Sequence, residues 1–71
     1  MQPQLRTALA ILRLKQVMAE TGLSRSSIYR GIQARTFPSP VALGARSVGW
    51  HCGQIDAWLA NPAGYRAQEA V

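Results

Sequence analysis

The stretch that decides the fold is Leu14-Lys15-Gln16-Val17-Met18-Ala19-Glu20-Thr21-Gly22-Leu23-Ser24-Arg25-Ser26-Ser27-Ile28-Tyr29-Arg30-Gly31-Ile32-Gln33-Ala34. Leu14, Val17 and Met18 recur at i, i+3 and i+4 and make one apolar stripe, so Leu14 to Glu20 reads as a short helix. Thr21-Gly22-Leu23 breaks it, because Gly22 can adopt the positive φ that ends a helix at little steric cost. Ser24 follows as an N-cap whose hydroxyl can accept from a free amide in the next turn. Leu23 precedes this cap and Ile28 stands at N4, where the two can form a hydrophobic staple. The second helix then runs from about Arg25 to Ala34. A helix, a short turn containing Gly and a capped second helix are the signature of a helix-turn-helix.

Projected at 100° per residue, Ser26, Tyr29, Arg30 and Gln33 share one face of the second helix, and Ile28 and Ile32 lie opposite. The isoleucines must face the core, so the polar residues face solvent. Their chemistry suits the major groove. Arg30 can pair with guanine O6 and N7, and Gln33 with adenine N6 and N7. Ser26 can bond a base or a phosphate, and Tyr29 a phosphate or a thymine methyl. Arg25, off to the side in the first turn, is better placed for the backbone. Any surface helix turns polar residues outward, yet this face has no acid, which a merely solubilising face usually mixes in.

Outward from this centre the signals are weaker. Ala10 to Arg13 can be a short strand, or Leu5 to Leu12 can be helical; periodicity over so few residues leaves both open. Thr36-Phe37-Pro38-Ser39-Pro40 cannot continue the second helix, because its prolines hold it extended. Val41 to Leu43 and Val48 to Trp50 read as two short strands around Gly44-Ala45-Arg46-Ser47, a plausible hairpin loop. Alternation puts Val41 with Leu43, and Val48 with Trp50, on a face each. Arg46 at the tip can reach phosphate or a narrow minor groove, and Lys15 can assist from the first helix. Ile55, Trp58 and Leu59 mark a third helix over about Gln54 to Ala60, with Gly53 as its N-cap and Asp56 at N3. Residues 1–9 read as an extension, 10–61 as the domain and 62–71 as a frayed tail.

Charge agrees with this placement. Eight Lys and Arg stand against three acids, for a net +5 over 71 residues. No acid occurs between Thr21 and Ile55, a span that carries Arg25, Arg30, Arg35 and Arg46. Such an unopposed positive field attracts polyanions. The chain is long enough for one thin core. Trp50 and Trp58 lie in apolar stripes and read as core anchors rather than as stacking platforms for single strands. The single Cys52 beside His51 has no partner for a disulfide, a metal site or a nucleophile pair. No cofactor, metal or catalysis is expected. Thr7 to Leu12 is too short to span a bilayer and lacks the features of a secretory signal, so the expected compartment is the cytoplasm, at the nucleoid.

Several segments together resemble a known family. Arg13-Leu14-Lys15-Gln16-Val17, Thr21 to Arg30, Phe37-Pro38-Ser39-Pro40, Gly44 to Trp50, and Ile55-Asp56-Ala57-Trp58-Leu59 resemble, in order and spacing, the AlpA-type regulators of the MerR-like and excisionase-like winged-helix superfamily. The resemblance covers about residues 10–61. It implies a mainly α winged helix-turn-helix fold with a small β-hairpin wing around residues 41–50 and a recognition helix around 25–34. By position, Ser24, Arg25, Ser26, Tyr29 and Arg30 match the recognition motif, with Ser27 inside it, and Arg46 matches the wing's basic residue. Where the family often has Pro-Glu, this chain has Lys15-Gln16, which predicts a less well capped first helix. Gly31, in mid-helix, costs roughly 1 kcal/mol against Ala; it either permits close packing or leaves the helix pliable.

The function expected is sequence-specific binding of double-stranded DNA, as a transcription regulator or a recombination directionality factor (excisionase) of a prophage or integrated element. Self-association on DNA accompanies it. The alternative is an adaptor that docks an integrase or RNA polymerase, supported by the otherwise unexplained apolar segment Leu5 to Leu12.

Overall fold

The computed structural model describes residues 7–67. Along them run β1 (Ile11–Leu12), α1 (Leu14–Thr21), α2 (Arg25–Ala34), β2 (Val41–Ala42), β3 (Val48–His51) and α3 (Cys52–Ala60). The strands form one antiparallel sheet in the order β1-β3-β2, with Leu12 opposite Trp50 and Val41 opposite Gly49. The architecture is mainly α, a helix-turn-helix with a β wing. Of the two readings open for residues 10–13, the strand is the one formed. It turns the two-stranded wing into a three-stranded sheet.

The core lies where the helices meet the inner face of this sheet. Val17, Ile28, Trp50, Cys52 and Ile55 are fully buried, with Leu12 and Phe37 nearly so. Leu14, Met18, Leu23, Ile32 and Trp58 pack around them. Leu23 and Ile28 thus share one core, as a staple requires. Gly22 takes the left-handed conformation (φ 74°), and its N–H closes α1 on Met18 O at 2.9 Å. α1 is better capped than its Lys15-Gln16 pair suggests: Gln16 Oε1 accepts from the Arg13 backbone N–H at 2.9 Å, one half of a capping box.

Gly31 is there for close packing. A Cβ at this position would stand 2.9 Å from Phe37 Cβ, so any side chain would push Phe37 off the helix. α2 ends at Ala34, and the next residue, Arg35, adopts φ 64° while the Thr36 N–H bonds Gly31 O at 2.9 Å. The extended segment that follows is held by both tryptophans. Trp58 Nε1 donates to Thr36 O at 3.1 Å and Trp50 Nε1 to Pro38 O at 3.0 Å, while Phe37 packs tilted on Trp58 with ring centroids 5.3 Å apart. Trp50 is therefore a core residue, and Trp58 a partly buried one with its polar edge engaged.

α3 departs from expectation at its start. It begins at Cys52, two residues before Gln54, so Gly53 is inside the helix and His51 is the N-cap. Asp56 consequently stands in the second turn rather than at N3. Cys52 and Ile55 are the buried positions of α3, with Trp58 partly buried, and Leu59 is 40% exposed. No side chain caps this end. The first amides instead reach back to the turn before β1: Cys52 N–H to Ala10 O (2.7 Å) and Gly53 N–H to Ala8 O (2.9 Å). The His51 ring adds Nδ1–H to Leu9 O (3.0 Å). Beyond α3, residues 61–67 fold back. Tyr65 Oη donates to Gln54 Oε1 at 3.3 Å and Ala67 N–H to Arg35 O at 2.8 Å. Residues 1–6 and 68–71 of the expected extension and tail lie outside the described residues.

Candidate nucleic-acid interface

α2 owes its register to Ser24. Its Oγ accepts from the Ser27 N–H at 3.2 Å, and its hydroxyl donates to Ser27 Oγ at 3.1 Å. Both serines are therefore engaged in the cap, and the Ser27 hydroxyl proton remains to donate outward. Sequence placement and burial agree along the helix: Ile28 is buried and Ile32 half-buried, whereas Ser26, Tyr29, Arg30 and Gln33 are exposed. Tyr29 is 41% exposed, so its phenol is presented rather than packed away. From Ser26 to Gln33 the face extends about 10 Å along the axis at 1.5 Å per residue. Arg25 is exposed in the first turn.

The wing supplies the second part. Leu43 N–H bonds Ser47 O at 2.7 Å, which closes the hairpin and leaves Arg46 exposed in its turn. Lys15 is exposed in the first turn of α1, a turn without acids. The structure thus places Arg25, Ser26, Tyr29, Arg30, Gln33, Arg46 and Lys15 on the surface, on three separate elements. Ser24 and Ser27 sit at the root of α2, where the cap holds them.

One further cation appears in the sequence only as the end of a candidate strand and the start of a family-like segment, with no contact assigned to it. Arg13 is exposed, and its Nε–H donates to Val48 O on the wing at 3.1 Å. Its partner is 35 residues away, so no local pattern announces it.

Other surfaces offer less. A shallow groove of about 350 Å³ runs between the Ala8–Leu9 turn and α3, lined also by His51, Gly53, Gln54 and Ala57. It brings no acid–base or nucleophile pair together. Among the described residues no three His, Cys, Asp or Glu side chains gather as a metal site, and no helix is long and apolar enough to cross a membrane.

A capped helix with an outward polar face, set beside a basic hairpin on a shared core, defines the winged helix-turn-helix class of regulators. The chain belongs to the AlpA family of prophage regulators: residues 10–63 match the family described as prophage CP4-57 regulatory protein (AlpA). It is 41% identical over 62 residues to the DNA-binding transcriptional activator AlpA of Escherichia coli K12, which covers 79% of this chain and 89% of that protein. It is also 45% identical over 50 residues to an uncharacterized protein, ORF88, of enterobacteria phage P4, covering 70% of this chain and 57% of the phage protein. No solved structure gives a significant match. The family is one of regulators, not of enzymes.

Proposed function

We propose that this chain binds double-stranded DNA sequence-specifically, with α2 in the major groove and the wing on the flanking backbone, and that it regulates transcription from a prophage or integrated element. The observation that carries this reading is the acid-free exposed face of Ser26, Tyr29, Arg30 and Gln33 on a helix whose opposite side is pinned by Ile28. Arg30 and Gln33 are the base readers, Ser26 and Tyr29 contact base or backbone, and Arg25, Arg46 and Lys15 bind phosphate, with Ser24 and Ser27 at the helix root. Residues 10–61 are the DNA-binding unit, and the chain acts in the cytoplasm at the nucleoid. The name of the E. coli relative supports transcriptional activation, and a role in excision is the other branch of the same reading.

A face about 10 Å long spans only three base-pair rises of 3.4 Å. So short a reading frame gives one copy little selectivity, and binding of further copies along DNA supplies the rest.

Footprinting on DNA upstream of its own gene and at nearby integration sites tests the proposal and separates the two roles. Protection of a promoter is expected for a regulator, and protection of attachment sites for a directionality factor. Arg30→Ala is expected to lose roughly 1–3 kcal/mol of preference for the protected site, whereas Arg46→Ala weakens all sequences evenly. Absence of protection together with salt-insensitive binding overturns it, because neutralising three to five phosphates requires a log–log salt slope of roughly −3 to −5.

A further inference from the structure

We propose that Arg13, at the junction of the sheet and α1, is itself a DNA-backbone contact: its guanidinium, already set against the wing, binds a phosphate beside the groove that α2 occupies. This rests on the reading of α2 and the wing as a DNA interface.

β1 ends at Leu12, opposite Trp50, while β3 and β2 continue towards the wing tip. Past that point β3 has no strand beside it on the β1 side. Arg13 takes the place of the missing strand, its Nε–H on the Val48 carbonyl. Its main chain is fixed as well, by Gln16 Oε1 on the backbone N–H. The residue is nevertheless exposed.

A guanidinium carries five N–H donors. The Val48 bond uses one, and the other four have no hydrogen-bond or ion-pair partner among the described residues. Those four sit on the Nη1 and Nη2 edge, the fork that pairs bidentately with an oxyanion. Because Nε is already held, part of the freedom that a loose Arg loses on binding is lost in advance.

Position selects phosphate as the oxyanion. Arg46 lies in the turn two residues before Val48, and Val48 opens β3 in the ladder pair next to that turn, so Arg13 is anchored on the same end of the hairpin that carries Arg46. Lys15 follows two residues later in the acid-free first turn of α1. Of the described acids, Glu20 is near the far end of α1 and Asp56 is on α3. A duplex presents phosphates continuously on both sides of its groove, and its sugar–phosphate backbone takes roughly half to two-thirds of protein–DNA hydrogen bonds.

The competing reading is a brace that only ties the wing to α1. Arg13→Gln separates the two, because it keeps a side-chain N–H for Val48 and removes the charge. The full chain and its variants are titrated against two duplexes, the footprinted site and a scrambled sequence, over a salt series, with thermal melting of each sample alongside. Arg13→Gln is expected to weaken both duplexes by a similar factor, about 5- to 20-fold, and to make the salt slope shallower by about 1. Arg13→Lys is expected to keep the slope and to bind both at least about threefold less tightly, since the fork is lost. A wild-type slope and affinity in Arg13→Gln, or a lowered melting temperature with an unchanged slope, leaves only a brace and overturns the proposal. Where Arg13→Gln does not fold, wild-type affinity in Arg13→Lys overturns it. If wild type itself binds neither duplex, the DNA reading falls and this proposal with it; if wild type binds with an Arg30-dependent preference and Arg13→Gln is neutral, only the proposal for Arg13 falls.

Discussion

α2 and α3 begin in opposite ways. α2 is opened by the residue beside it, Ser24, whose Oγ takes the Ser27 amide. α3 is opened by carbonyls from the other end of the chain, Ala8 and Ala10, with Leu9 O on the His51 ring. Both ends satisfy amides that would otherwise lack partners, but a local cap forms with the helix, whereas a remote one exists only after β1 has paired with β3. The start of α2 is thereby independent of the seam that joins the sheet to α3. The seam carries long-range order, and α2 carries its own start.

Three changes sharpen or break this contrast. Deleting residues 1–9 removes Ala8 O and Leu9 O as acceptors, and at about 1 kcal/mol per hydrogen bond the loss is expected near 2 kcal/mol, read as a lower urea midpoint. An unchanged midpoint means that water replaces both carbonyls without cost. Gly53→Ala comes next. Its Cβ would stand 2.9 Å from Ala8 Cβ and 3.2 Å from Ala8 O, so the turn is pushed away and a loss of about 1–2 kcal/mol is expected. The sign is informative, since Ala on its own favours a helix over Gly by about 1 kcal/mol; a stabilised variant means that the turn is dispensable. Ser24→Ala is the smallest, at about 1 kcal/mol. It should fray α2 locally, with faster amide exchange at Ser27 and little change at Gly53. Equal exchange at both places would show that the two ends are not independent.

The same contrast explains what the sequence discloses. The turn at Gly22, the Ser24 cap, the extent of α2 and the outward set from Ser26 to Gln33 all follow from neighbours within four residues, and each stands where the pattern puts it. The start of α3 does not. Gly53 and Asp56 look like a cap and an N3 acid because nothing nearby shows that backbone from residues 8–10 fills that role. Leu59 reads as core from its spacing, yet the buried place belongs to Cys52, because starting two residues earlier brings the first turn against the sheet. Gly31 is ambiguous by propensity and is decided by Phe37, which the left-handed turn at Arg35 brings back onto it. Arg13 belongs to this group too, since its partner Val48 is on a strand that no local rule connects to it.

The bend between α2 and the wing has a practical consequence. Both tryptophans in the chain donate their indole N–H into it, to Thr36 O and to Pro38 O. Ultraviolet emission from this protein is therefore a built-in reporter: a movement of the bend that breaks either bond changes the surroundings of one of the two fluorophores, with no dye attached.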